Sequence, residues 1–183
     1  MSYKLLSLIL ILTLSLNLGQ GLAQAIKLKT IDNPSLETPH TSWRIYDQQI
    51  YLLNSYENSL SIYSEKGKMV KELTFGEETK KALLFDFDLA GDQLYLLTQN
   101  PYALLKYSLK SGKLNKTLPF HNLYPTSVNI SNQTLCLATT QGMVLYDSQL
   151  EFKGFVPLKT ACPIISPNGQ LIFHSPIYEG VDK

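Results

Sequence analysis

Four stretches decide the fold: Asp47-Gln48-Gln49-Ile50-Tyr51-Leu52-Leu53, Gly91-Asp92-Gln93-Leu94-Tyr95-Leu96-Leu97, Ser131-Asn132-Gln133-Thr134-Leu135-Cys136-Leu137 and Asn168-Gly169-Gln170-Leu171-Ile172-Phe173. Each is a polar turn rich in Asp, Asn or Gly, followed at once by a short apolar strand. A second landmark follows each of the first three. Ser61-Ile62-Tyr63, Lys106-Tyr107-Ser108 and Val144-Leu145-Tyr146 bring a strand to its end at a tyrosine, with roughly 40 residues between successive units. Polar turns come next, at Glu65-Lys66-Gly67-Lys68, Lys110-Ser111-Gly112-Lys113 and Asp147-Ser148-Gln149. A closing strand completes each unit over Met69–Phe75, Leu114–Phe120 and Phe152–Leu158.

A full unit is therefore four short strands, A to D. The boundaries fall at about 42–75, 84–120 and 125–158, and a fourth unit begins at Cys162 and spans 162–183. Helical periodicity does not compete: Glu77–Leu83 is the one stretch that suits a turn or two of helix. Four-stranded units of this length predict an all-β, propeller-like array of antiparallel blades. Each blade has two apolar faces, and only stacking buries both. Trp43, Tyr46, Phe85 and Phe87 are expected to pack between blades.

The units lack the Gly-His and Trp-Asp marks of WD40 repeats and the double glycine of kelch repeats. Asp92-Gln93-Leu94-Tyr95-Leu96 and Lys106-Tyr107-Ser108-Leu109-Lys110-Ser111-Gly112-Lys113 instead resemble repeats of the six-bladed NHL and TolB-like propellers. The resemblance covers about Trp43–Phe173. It implies an architecture and leaves function open. Six blades of roughly 40 residues need about 240 residues, and this chain has 183. The expectation is an incomplete array of three to four blades, either a truncated fragment or a half-ring that a homodimer would complete.

Residues 1–25 read as a signal peptide. One charge, Lys4, precedes the apolar run Leu5–Leu18, which is shorter than the ~20 residues a bilayer span needs. Gly19-Gln20-Gly21 then breaks the run, and Ala23-Gln24-Ala25 has the small-x-small form of a cleavage site. Export outside the cytoplasm, periplasmic or secreted, follows, with no stable membrane span after cleavage. The alternative is an uncleaved N-terminal anchor. Residues 26–41 are an N-terminal strand, Ile26–Ile31, and a linker. The strand suits closure of a last blade, or else a simple edge.

The 16 basic and 15 acidic residues nearly cancel, which argues against a nucleic-acid partner bound by bulk charge. Cys136 and Cys162 form one possible disulfide or two buried thiols. His40, His121 and His174 are far apart and match no metal-ligand spacing. No nucleophile elbow or phosphate loop is present, so catalytic residues are unassigned and no cofactor is expected.

Two groups of residues merit attention. Asp86 and Asp88 flank Phe87 on strand A of the second unit, and residues at i and i+2 share one side of a strand. Inner strands line a propeller's channel, so the pair is a metal candidate; the alternative is that they satisfy backbone groups of a neighbouring blade. The D–A and B–C loops meet at one face and carry Tyr56, Tyr102, His121, Asn122 and Tyr124. Aromatic and amide groups on one face suit a protein, peptide or glycan partner. The expected function is an exported binding or scaffold module. The rival is a propeller-type lyase or hydrolase with a metal in the central channel, held by Asp86, Asp88 and His121.

Overall fold

The computed structural model describes residues 42–157, together with the backbone of two further short strands. The expected signal peptide, the Ile26–Ile31 strand, Cys162, His40 and His174 lie outside the described residues. Blade one comprises β1 (Ser42–Tyr46), β2 (Gln49–Asn54), β3 (Ser59–Ser64) and β4 (Met69–Thr74). Blade two comprises β5 (Leu83–Ala90), β6 (Gln93–Gln99), β7 (Ala103–Ser108) and β8 (Leu114–Pro119). Blade three comprises β9 (Pro125–Ser131), β10 (Thr134–Thr139), β11 (Met143–Asp147) and β12 (Phe152–Val156). Each is an antiparallel meander paired in sequence order. A two-stranded pair, β13 (Ile164–Ile165) and β14 (Ile172–Phe173), follows, with β13 beside β9. Among the described residues there is no helix, and the array does not close.

The A–B turns explain why the hairpins form where they do. Two-residue hairpin loops need positive φ to match strand twist. Asp47 and Gln48 supply it at 48° and 59°, Asn132 and Gln133 at 45° and 65°, and Gly91 alone at 58°. The segment suited to a turn of helix, Glu77–Leu83, instead forms successive i→i+3 turns. Thr79 N donates to Gly76 O at 3.1 Å and Ala82 N to Thr79 O at 2.9 Å.

Both faces of blade two are covered, which is why its central strands read as continuous apolar runs. Phe87, Leu94, Leu96, Leu105 and Tyr107 face blade one and join Tyr51, Leu53, Leu60 and Ile62 in one core. Tyr95, Leu97 and Leu104 face the other way and join Val128, Leu135, Leu137, Val144 and Tyr146 in a second. Each fully buried leucine here contributes about 1.5–3 kcal/mol. Of the aromatics expected between blades, Phe87 is fully buried, and Tyr46 and Phe85 pack at the margins of the two cores. Trp43 departs from expectation and is 43% exposed. It occupies the position in β1 that Phe87 occupies in β5. Its side of β1 faces away from blade two.

Three devices recur from blade to blade. The pairing of strands C and D slips one residue at the same place each time, between Ile62 and Tyr63, Lys106 and Tyr107, and Leu145 and Tyr146. A buried polar residue at or next to the end of each strand B organises the B–C turn. Asn54 Oδ1 accepts from Tyr56 N at 3.0 Å and Glu57 N at 3.1 Å, Thr98 Oγ1 donates to Pro101 O at 2.9 Å, and Thr139 Oγ1 accepts from Gly142 N at 3.1 Å. A strand-D lysine then grips the next blade's C–D turn: Lys71 Nζ donates to Leu109 O and Lys116 Nζ to Gln149 O, both at 2.6 Å.

Candidate functional site

The B–C turns and D–A segments lie at one end of the sheets. The side chains of Asn54, Thr98 and Thr139 hold their turns in fixed shape, and two bonds lock the first B–C turn to the following D–A segment and the start of β5. Ser55 Oγ donates to Leu84 O, and Asn58 Nδ2 donates to Thr79 Oγ1 at 2.5 Å. On this footing Tyr56 stands 79% exposed and Tyr124 51% exposed. Tyr102 and Tyr124 meet edge to face, with ring centroids 5.4 Å apart and planes at 84°. Gln99 Nε2 donates to the Tyr102 hydroxyl at 2.8 Å and fixes that ring. The five residues expected to make a binding face therefore share one end of the blades, and among them Tyr102 and Tyr124 make a ring contact. Tyr56 sits on the blade-one turn. His121 and Asn122 are exposed on the segment between blades two and three, and neither bonds to the tyrosine pair.

Asp86 and Asp88 lie at the inner strands. Asp86 Oδ1 accepts from Ser42 Oγ and Arg44 NH2 of β1, both at 2.8 Å, and its Oδ2 accepts from Val128 N of β9 at 2.9 Å. Asp88 Oδ2 accepts from Ile130 N at 2.7 Å and its Oδ1 from Leu89 N at 2.9 Å; Arg44 Nε lies 3.7 Å from the same Oδ1. The Arg44 guanidinium also sits over the Phe87 ring, 5.4 Å from its centroid. The two carboxylates thus span three successive A strands and hold amides at the β9 edge. Burial pushes the Asp88 carboxyl up to about 6, against the pull of the Ile130 and Leu89 amides and then of Arg44. Among the described residues, no three His, Cys, Asp or Glu side chains gather as a metal would require.

Arg44 is the charged member of this network that the sequence did not single out. The available signal was the alignment of the repeats. Ser42, Asp86 and Ser127 occupy one column of strand A, and Arg44, Asp88 and Asn129 occupy another. Both columns are polar in all three blades, and a cation in one blade stands beside two carboxylates in the next.

Cys136 is a free, fully buried thiol, and burial pushes it up to about 12, well away from nucleophilic use. Among the described residues, no helix is long and apolar enough to cross a membrane.

No family model matches the chain. No curated protein matches it either. Solved structures do. The WD40 domain of Pan2 from Neurospora crassa is similar at a TM-score of 0.52 and 16% identity, over 66% of this chain and 36% of that one. Hydrazine synthase of Kuenenia stuttgartiensis is similar at a TM-score of 0.59 and 15% identity, over 83% of this chain and 44% of that one. At such identities the likeness concerns the fold, which is β-propeller-like. The chain spans less than half the length of either structure.

Proposed function

We propose that the chain is an exported propeller-type binding module that recognises a protein, peptide or glycan through its B–C and D–A loop face. The observation that carries this reading is the Tyr102–Tyr124 pair, held by Gln99 and left half open to solvent, with Tyr56 exposed at the same end. Rigid, amphipathic aromatic area on ordered turns is what such partners bind, and propeller scaffolds present loops in this way. Export rests on the leader-like sequence of residues 1–25. A six-bladed ring of the NHL and TolB kind, completed by a second copy, belongs to the same proposal. Its support is the side of β1 that no described blade covers, where Trp43 and Ile45 are 43% and 52% exposed.

The metal-dependent lyase or hydrolase is the weaker alternative, since Asp86 and Asp88 are already engaged by Arg44 and by the amides of Val128 and Ile130. Peptide and glycan arrays probed with the wild-type chain and with Tyr124→Ala test the binding reading. The expected result is selective binding, weakened about tenfold or more by the substitution. Binding that Tyr124→Ala and Tyr56→Ala leave intact would remove this face from the proposal. Solution mass tests the ring: a dimer supports it and a monomer counts against it.

A further inference from the structure

The opposite end of the blades, where A–B and C–D turns meet, holds a second feature. A cleft of about 530 Å³ opens between blades two and three, lined by Gln93, Tyr95, Lys106, Gln133, Ser148 and Gln149 among others. Lys106 is the unusual member. It lies mid-strand in β7 and is 7% exposed, and its column holds Ile62 in blade one and Leu145 in blade three. Its ammonium donates to Ser148 O at 2.6 Å and lies 5.7 Å from the centre of the Tyr95 ring. An ammonium has three N–H donors, and among the described residues no carboxylate forms an ion pair with this one. Asp147 is held by Lys153 at 2.9 Å, and Glu151 by Lys116 at 2.8 Å. Burial lowers the Lys106 pKa, and the nearby Lys116 lowers it further, while Asp147 partly offsets them. A buried cation with no directly paired carboxylate is costly, and an anion entering the cleft would relieve that cost.

The cleft itself has a clear origin in the repeat. At the junction of blades one and two the corresponding positions carry Tyr46, Ile62 and Leu109. Tyr46 packs on the core there and its hydroxyl accepts from Gly91 N at 2.8 Å, while Leu109 packs beside it. At the junction of blades two and three the same three positions carry Ala90, Lys106 and Ser148. Loss of the tyrosine opens the space, and the other two changes make it polar and cationic. Gln133 and Gln149 also line the cleft, and among the described residues no hydrogen bond holds their side chains, while Gln93 has a long one, accepting from Asn115 Nδ2 at 3.3 Å.

We propose that this cleft binds a small hydroxylated monocarboxylate, its carboxylate on Lys106 Nζ and its hydroxyl groups on the amides of Gln93, Gln133 and Gln149. A single buried cation matches a single negative charge. Neutral amides that both donate and accept match hydroxyls better than a second anionic group. The site lies at the other end of the blades from the tyrosine face, so either can fail without the other.

Calorimetry and thermal melting of the full chain test this with quinate as the probe, against inositol as a neutral polyol and sulfate as a different anion. The expected result is saturable quinate binding that raises the melting temperature, with inositol and sulfate without effect at matched ionic strength. Lys106→Met should weaken quinate binding at least about tenfold. Gln133→Gly relaxes a positive-φ turn and removes one amide, so it should melt higher on its own yet bind quinate more weakly. If Lys106→Met fails to fold, Gln133→Gly decides the matter. Absence of saturable binding overturns the proposal, as does an equal response to inositol or sulfate. So does unchanged affinity in Gln133→Gly or in folded Lys106→Met.

Discussion

The junction of blades one and two is filled by Tyr46, Ile62 and Leu109, whereas the junction of blades two and three carries Ala90, Lys106 and Ser148 at the same positions. Deeper in, the two are alike. Tyr51 and Tyr95 occupy one column and Leu60 and Leu104 another; Tyr51 and Leu60 are buried in the first core, Tyr95 and Leu104 in the second. The change from apolar to polar is confined to the end where A–B and C–D turns meet. A repeat fixes the buried middle of an interface because every blade must stack there. It leaves the ends free to diverge, and three substitutions suffice to turn a packed end into a polar cleft.

That comparison can be broken by exchange. Ile62→Lys would bury an ammonium where Tyr46 fills the space and the Leu109 carbonyl is already held by Lys71, and it should cost about 3–5 kcal/mol in urea unfolding. Lys106→Ile should change stability by less than about 1 kcal/mol. It removes an unpaired buried charge, and Tyr95 OH still donates to Ser148 O at 3.2 Å. Equal costs for the two would mean that the junctions do not differ as described. A second contrast probes the shared middle. Phe87→Ala at the first junction should cost about 3–4 kcal/mol, and Val128→Ala, in the same column at the second, about 1–2 kcal/mol.

The inner strands tie both junctions together, and pH reports on them. The Asp88 carboxyl is pushed up to about 6 in the folded chain, above its unfolded value near 4. Between those values the folded state holds more protons, so stability falls as pH rises through about 4 to 6 and then levels. The loss should reach about 3 kcal/mol. Asp88→Asn, which keeps an acceptor for Ile130 N, should flatten this slope in melting curves taken across the range. The smallest expected effect concerns a turn. Gln48 holds φ at 59° without the freedom of glycine, so Gln48→Gly should gain a few tenths to about 1 kcal/mol in urea unfolding.

Much of the fold was legible because its signal repeats. The Asp/Asn/Gly turns before Ile50, Leu94 and Leu135 mark the A–B hairpins, and the terminal tyrosines mark the end of each strand C. The slip of strand D against strand C was not legible. It depends on hydrogen-bond geometry opposite Tyr63, Tyr107 and Tyr146 and has no residue signature of its own. The five loop residues were placed at one end by topology, yet side-chain approach was needed to single out Tyr102 and Tyr124. The proximity of Asp86 and Asp88 followed from strand alternation. Their partners did not, because Ser42, Arg44, Val128 and Ile130 lie about forty residues away in either direction.

The Arg44–Asp86–Asp88 network also bears on how such a chain avoids tangling with itself. Near-identical repeats can stack in the wrong order or with another molecule's repeats, a recurrent failure in repeat proteins. Here the inner strands are not interchangeable. Blade one offers donors from Ser42 and Arg44, blade two answers with two carboxylates, and blade three presents main-chain amides to the same carboxylates. Stacking blade two on another blade two would set four carboxylates face to face without a cation. The polar columns of strand A therefore act as an ordering code, written in charge, that favours one stacking sequence and penalises the rest.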